Sequence, residues 1–237
     1  MRNIVFLLLA ALGFAIILIF TEYGSFPKKQ TEVSSIVAFG DSLTYGYGDH
    51  QAGGYISVLK QRLNENNEER IYTFKNNGVY GLESSGVLKQ FAEPIVISEI
   101  NEANYLIVFI GTNDLINSNG GDLNPLFPER IEQARKVYIK NMKEIIKILK
   151  IENDSAPILL LGLYNPVLES EEIEKQFDRW NNSIAELAKG NDRIYFINTN
   201  DLFKGKQKKE YFHDSLHPNH KGYKLIAERV LTKFEFK

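Results

Sequence analysis

Three groups of residues in this chain have types and spacings suited to chemistry. Ser42 stands in Phe39-Gly40-Asp41-Ser42-Leu43-Thr44, at the end of an apolar run, and Asn113 stands in the polar turn Gly111-Thr112-Asn113-Asp114. Near the end of the chain, His213-Asp214-Ser215-Leu216-His217-Pro218-Asn219-His220 holds three of the four histidines. A serine hydroxyl attacks poorly until a base takes its proton, and a histidine does this best when a carboxylate fixes its tautomer. Asp214 precedes His217 by three residues, so its carboxylate is within reach of the imidazole across one turn. Acyl transfer also needs donors for a developing oxyanion, and the Ser42 N–H, a glycine N–H and the Asn side chain would serve. Ser42 and Asp41 equally suit a helix N-cap. Asp41 is read as a stabiliser of its turn, Asp114 as the organiser of the loop that presents Asn113, and His213 and His220 as solvated loop histidines.

These groups need a frame that brings them together. Five short runs rich in β-branched and aromatic residues read as buried strands: Ser35 to Phe39, Ile71 to Phe74, Tyr105 to Ile110, Ile158 to Leu163 and Ile194 to Ile197. Between and after them, Tyr55 to Asn66, Ser84 to Asn101, Glu129 to Ile151, Glu169 to Lys189 and Pro218 to Phe236 show helical apolar spacing, with Pro218 suited to a first turn. Alternating strands and helices imply a parallel sheet with right-handed crossovers. The expected fold is therefore a three-layer α/β/α sandwich around a flavodoxin-like five-stranded sheet of order 2-1-3-4-5. Such sheets bind ligands beyond the carboxyl ends of their strands. Ser42, Asn113 and the histidine loop follow strands one, three and five, and so fall at one end.

Gly40-Asp41-Ser42-Leu43, Asn77-Gly78-Val79-Tyr80-Gly81, Gly111-Thr112-Asn113-Asp114 and Asp214-Ser215-Leu216-His217 resemble, in order, the blocks of the SGNH or GDSL hydrolase family. The tail is similar to the YpmR-like branch, whose members have an N-terminal membrane segment. The resemblance implies a serine esterase or lipase in which Ser42 is the nucleophile, His217 the base and Asp214 its orienting acid. It also implies an oxyanion hole from the Ser42 and Gly81 backbones and the Asn113 side chain; Gly78 competes with Gly81, and spacing after the Asn favours Gly81.

Composition narrows the partners. The chain has 237 residues, an apolar share of 43% and no cysteine, so a globular core is expected while thiolate metal sites and disulfides are excluded. With 28 basic against 30 acidic side chains, a formal net charge of −2 offers no field for nucleic acid. The run Ile4 to Phe20 carries no charge, and as a helix it would extend about 25 Å, near the thickness of a bilayer core. Residues 1–26 are thus expected to be a membrane anchor or signal peptide, 27–34 a tether and 35–237 the hydrolase domain, held at the outer face of a bacterial membrane or secreted. No cofactor is expected. Gly46-Tyr47-Gly48 opens like a dinucleotide fingerprint, yet Gln51 stands in the sixth position. A metal is not expected either, because Pro218 interrupts a helical frame for the histidines.

The expected substrate is an ester of a lipid or an acylated polymer. A wall-polymer deacetylase or acyltransferase with the same triad, and an idle binding module, are the alternatives. Tyr45 and Tyr47 are expected to wall the crevice, and the long loop Leu115 to Pro128 to border the acyl pocket. Tyr164-Asn165-Pro166 and Trp180-Asn181 are candidates for a further edge.

Overall fold

Strand formation follows from runs that are apolar on both faces, which only a sheet covered by helices on each side can bury. The computed structural model describes residues 31–49 and 53–237. In it β1 (Glu32–Gly40), β2 (Arg70–Gly78), β3 (Tyr105–Phe109), β4 (Ile158–Leu161) and β5 (Ile194–Ile197) form one five-stranded parallel sheet of order β2-β1-β3-β4-β5. This is the expected three-layer, flavodoxin-like architecture. Register is set by core residues: Phe39 lies opposite Val108, Val108 opposite Leu160 and Leu160 opposite Phe196. Every residue of β3 and β4 is buried, and each large aliphatic side chain so buried contributes roughly 1.5–3 kcal/mol.

Several expected boundaries shift. Residues 32–34, read as tether, already belong to β1. The single helix expected over 84–101 is two, Ser84–Gln90 and Pro94–Asn101, because the ring of Pro94 bars helical backbone at Glu93 and starts a new helix instead. Pro218 is not in the last helix, which runs His220–Lys233 and is capped by the Asn219 side chain; Pro218 makes a β-bridge with Phe212. The loop expected to start at Leu115 starts later, since Thr112–Ser118 is helical. Its remainder is fastened by buried Asn119, which donates to the carbonyls of Asp122 and Pro125 and accepts from the N–H of Phe127. Trp180 is core, fully buried against the Tyr138 ring at 4.8 Å. The expected anchor lies outside the described residues, and among the described residues no helix is long and apolar enough to cross a membrane.

One side chain fixes the amino ends of two strands. Asn153, at the end of the helix Pro128–Glu152, donates to the carbonyls of Ile100 and Ala103, each at 2.8 Å, and accepts from the N–H of Ala156 at 2.7 Å. Those three groups precede β3 and β4. Asn153→Ala orphans them, and about 3 kcal/mol of stability should be lost; an unchanged denaturant midpoint would contradict this reading.

Candidate active site

The nucleophile position is built by a turn with no spare room. β1 ends at Gly40, where a Cβ would lie 2.2 Å from Thr44 Oγ1 and 2.3 Å from the Phe109 carbonyl oxygen. Asp41 then caps the four-residue helix Ser42–Tyr45, its Oδ1 accepting from the Leu43 N–H at 2.9 Å. Gly46, at φ +92°, stops that helix. Gly48, also at φ +92°, leaves space that the Pro218 carbonyl and His217 fill, with a Cβ there only 2.6 Å from the former and 3.3 Å from the latter. Of the glycine pair that opens like a cofactor fingerprint, Gly48 is therefore what lets the histidine loop lie against the serine turn, while Gly46 makes room for the backbone of Gly53 and Gly54.

That packing brings Ser42 and His217 together across the chain. Ser42 Oγ is 2.9 Å from His217 Nε2, and His217 Nδ1 is 2.8 Å from Asp214 Oδ2. An ionised carboxylate only accepts hydrogen bonds, so the imidazole proton belongs on Nδ1, which leaves the Nε2 lone pair facing the serine hydroxyl. Asp214 Oδ1 accepts from the N–H groups of His217 and Leu216, so one carboxylate holds both ring and backbone. Partial burial opposes ionisation of Asp214, but these N–H bonds and the imidazole outweigh it and hold the carboxyl below its ordinary value.

The imidazole is enclosed by aromatic rings. Tyr47 meets it edge-on at 4.6 Å, and Tyr80 stacks at 5.9 Å with 25° between planes. Tyr47 thus supplies part of the expected wall, while Tyr45 is largely exposed. Tyr80 had no role assigned from the sequence, and its place beside Gly81 in the second block was the available signal. The histidine loop is braced from behind by the Tyr164 hydroxyl, which donates to the Leu216 carbonyl, and by the Lys208 ammonium, which donates to that of Ser215. Tyr164 is buried and makes no edge.

The two glycines of the second block, Gly78 and Gly81, differ in their surroundings. A Cβ on Gly78 would lie 2.3 Å from the Tyr45 nitrogen, so Gly78 is where β2 presses on the serine helix. Gly81, at φ +74°, has open space around it. Asn113 Nδ2 donates to the Leu82 carbonyl at 2.9 Å, which ties the amide beside Gly81 and leaves its second N–H uncommitted. The Ser42 N–H begins a helix and has no intrahelical acceptor.

Two acids lie behind the nucleophile. Asp114 accepts from the Ser84 hydroxyl and N–H, so it joins Thr112–Ser118 to the helix Ser84–Gln90 instead of bonding within its own loop. Asp41 is 1% exposed, and its Oδ2 has no hydrogen-bond partner among the described residues. Burial, against the opposing Leu43 N–H and with the Asp114 charge adding to it, pushes the Asp41 carboxyl up to about 7. Of the other histidines, His213 is exposed and its N–H donates to the His217 carbonyl, while His220 Nδ1 lies 3.2 Å from buried Asp49 Oδ2. Neither stands at Ser42 in place of His217.

The comparisons with known proteins agree with this geometry at the level of family and fold. A model of the GDSL-like lipase/acylhydrolase family matches residues 38–225. The uncharacterized protein YpmR of Bacillus subtilis is 31% identical over 208 residues, covering 85% of this chain and 82% of that one. The spore germination lipase LipC of Bacillus licheniformis is 30% identical over 204 residues, covering 81% of this chain and 92% of its own. Among solved structures, the lipase Lip_vut3 from a goat rumen metagenome superposes with a TM-score of 0.74 at 26% identity, covering 84% of this chain and 97% of that one. Axe2, an acetylxylan esterase from Geobacillus stearothermophilus, shares the fold with a TM-score of 0.71 at 17% identity, covering 88% and 97%.

Proposed function

This chain belongs to the GDSL-like lipase/acylhydrolase family, and from that premise we propose that it is a serine esterase cleaving carboxylic esters through an acyl-enzyme on Ser42. The observation that carries the proposal is the continuous relay from Ser42 Oγ to His217 Nε2 and from His217 Nδ1 to Asp214, at 2.9 and 2.8 Å. His217 accepts the hydroxyl proton as Ser42 Oγ bonds to the ester carbonyl carbon, and Asp214 stabilises the resulting imidazolium. Negative charge gathering on the carbonyl oxygen meets the N–H groups of Ser42 and Gly81 and the Asn113 amide. The imidazolium returns its proton to the departing alkoxide, leaving an acyl group on Ser42. Water, deprotonated by His217 in turn, attacks that acyl carbon and frees the acid.

The substrate is proposed to be a lipid or acylated surface ester, and the exposed Val79 and Tyr80 next to Gly81 favour an apolar acyl group. The proposal extends to an exterior location, which rests on the apolar run Ile4 to Phe20 alone. A series of p-nitrophenyl esters from two to twelve carbons, compared with acetate release from acetylated polysaccharide, tests both parts. Hydrolysis with preference for the longer chains is expected. Acetate release without hydrolysis of longer esters would transfer the chain to the deacetylase reading, and folded protein inert toward every ester would end the esterase proposal.

A further inference from the structure

Val79, Tyr80, Gly81 and Leu82 form a turn closed by the Leu82 N–H on the Val79 carbonyl at 3.1 Å. Gly81, at φ +74°, takes its third position, where a left-handed backbone is required. The turn hangs from the nucleophile's own strand, because the Val79 N–H donates to the Gly40 carbonyl at 3.0 Å. Its far end is held by the Asn113 amide on the Leu82 carbonyl. Tyr80 is therefore presented at a fixed place at the carboxyl end of β1, although its side chain is 61% exposed.

A ring so exposed adds little to the core, yet this one is engaged. It stacks on the His217 imidazole, with centroids 5.9 Å apart and 25° between planes, and the Tyr47 ring meets it at 5.0 Å. Tyr47 is itself tied down, its N–H donating to the Ser42 carbonyl and its carbonyl accepting from the Tyr223 hydroxyl at 2.6 Å. The face of an aromatic ring carries negative potential and attracts a cation within about 6 Å. His217 becomes such a cation in both halves of the proposed reaction, as it takes a proton first from Ser42 and then from water. Asp214 supports that charge at Nδ1, and Tyr80 meets it across the plane of the ring. The other titratable groups around the base are Lys208, which reaches the loop through the Ser215 carbonyl, His213, 6.0 Å from the Tyr47 ring, and Asp41 behind the nucleophile.

We propose that Tyr80 is a positioning residue that acts through the base: its ring holds the His217 imidazole in place and stabilises the imidazolium through which each step of acyl transfer passes. The inference deepens the esterase reading and rests on it. One turn then serves both charges of the transition state, the negative one at the Gly81 N–H and the positive one at the Tyr80 ring.

Two variants isolate the ring. Leucine keeps apolar bulk without an aromatic face, and phenylalanine keeps the face without the hydroxyl. In an NMR titration of the His217 ring in the full chain, the midpoint in Tyr80→Leu should lie about half a pH unit below wild type, and Tyr80→Phe should restore it. An unchanged midpoint in Tyr80→Leu, or an equal lowering in Tyr80→Phe, would overturn the proposal. In the second arm, kcat/KM for p-nitrophenyl acetate should be about threefold lower in Tyr80→Leu on the alkaline plateau and should converge with wild type toward acid pH. The curves meet because below the midpoint the free enzyme also carries the imidazolium, so ground and transition states lose the same support. A loss of one size at every pH would show that the ring only shapes the site, and would overturn the proposal too. Asp41, Lys208, His213 and Asp214 are common to all three proteins and cancel from these ratios. If wild type cleaves no ester, the esterase reading fails while the His217 titration still decides the ring contact.

Discussion

Ser42→Ala will fold normally and lose both fluorophosphonate labelling and ester hydrolysis, with kcat falling roughly 10⁴- to 10⁶-fold. The fold is spared because the substitution deletes one oxygen, keeps the Cβ, and leaves the Asp41 cap on the Leu43 N–H in place. His217→Ala should cost about as much, and the double variant no more than either single one, since nucleophile and base act as a unit. Asp214→Asn should also be severe. An amide there cannot bond the ring as the carboxylate does while still accepting the N–H groups of His217 and Leu216. Activity resting on Asp214 needs its carboxylate ionised, and because its folded-state pKa is depressed, that requirement persists to more acidic pH than for a free side chain. Labelling that survives in Ser42→Ala, located on another residue, would displace Ser42 from its role.

The second large effect concerns stability. Asp41 titrates near 7 when folded, against an ordinary value of 3.8. Between these values the native state binds more protons than the unfolded one. Stability is therefore full below about pH 4, declines as pH rises through 7, and stays reduced above it. A shift of that size corresponds to something on the order of 4 kcal/mol. Asp41→Asn keeps an oxygen to accept from Leu43 and carries no charge, so this pH-dependent loss should vanish. At acidic pH the variant should be no more stable than wild type, because an amide nitrogen in place of Oδ2 meets the same partnerless surroundings. Urea midpoints of both proteins at pH 5 and pH 9 measure the difference in slope, and parallel decline in the two would refute the assignment to Asp41.

The sheet was readable because its strands are short, continuous apolar runs, and strict alternation with helices leaves little topological choice. The relay was readable for a related reason: in a parallel sheet, residues that follow strands one, three and five must meet at one end. What stayed hidden depends on contacts that no spacing encodes. Gly46 and Gly48 look like half of a nucleotide motif until the Pro218 carbonyl is seen against Gly48. The split of 84–101 was foreshadowed by Pro94, but apolar periodicity on both sides concealed it. Asp41 reads correctly as a cap from its place before Ser42, yet the lack of any partner for Oδ2 comes from the surrounding core. Tyr80 likewise acquires meaning only when distant segments pack and its ring stacks on His217.

The bond between Ser42 and His217 spans 175 positions of sequence, and this fixes when in the protein's life hydrolysis can begin. The residues implied in the oxyanion hole and the nucleophile itself lie in the first half of the chain, while Asp214, His217 and the closing helix His220–Lys233 emerge last. With synthesis running at about 5–20 residues per second, a nascent chain carries its serine for roughly ten to thirty-five seconds before His217 is made. On the proposed mechanism, Ser42 therefore gains its base only when the carboxyl-terminal segment has been made and has packed against the serine turn.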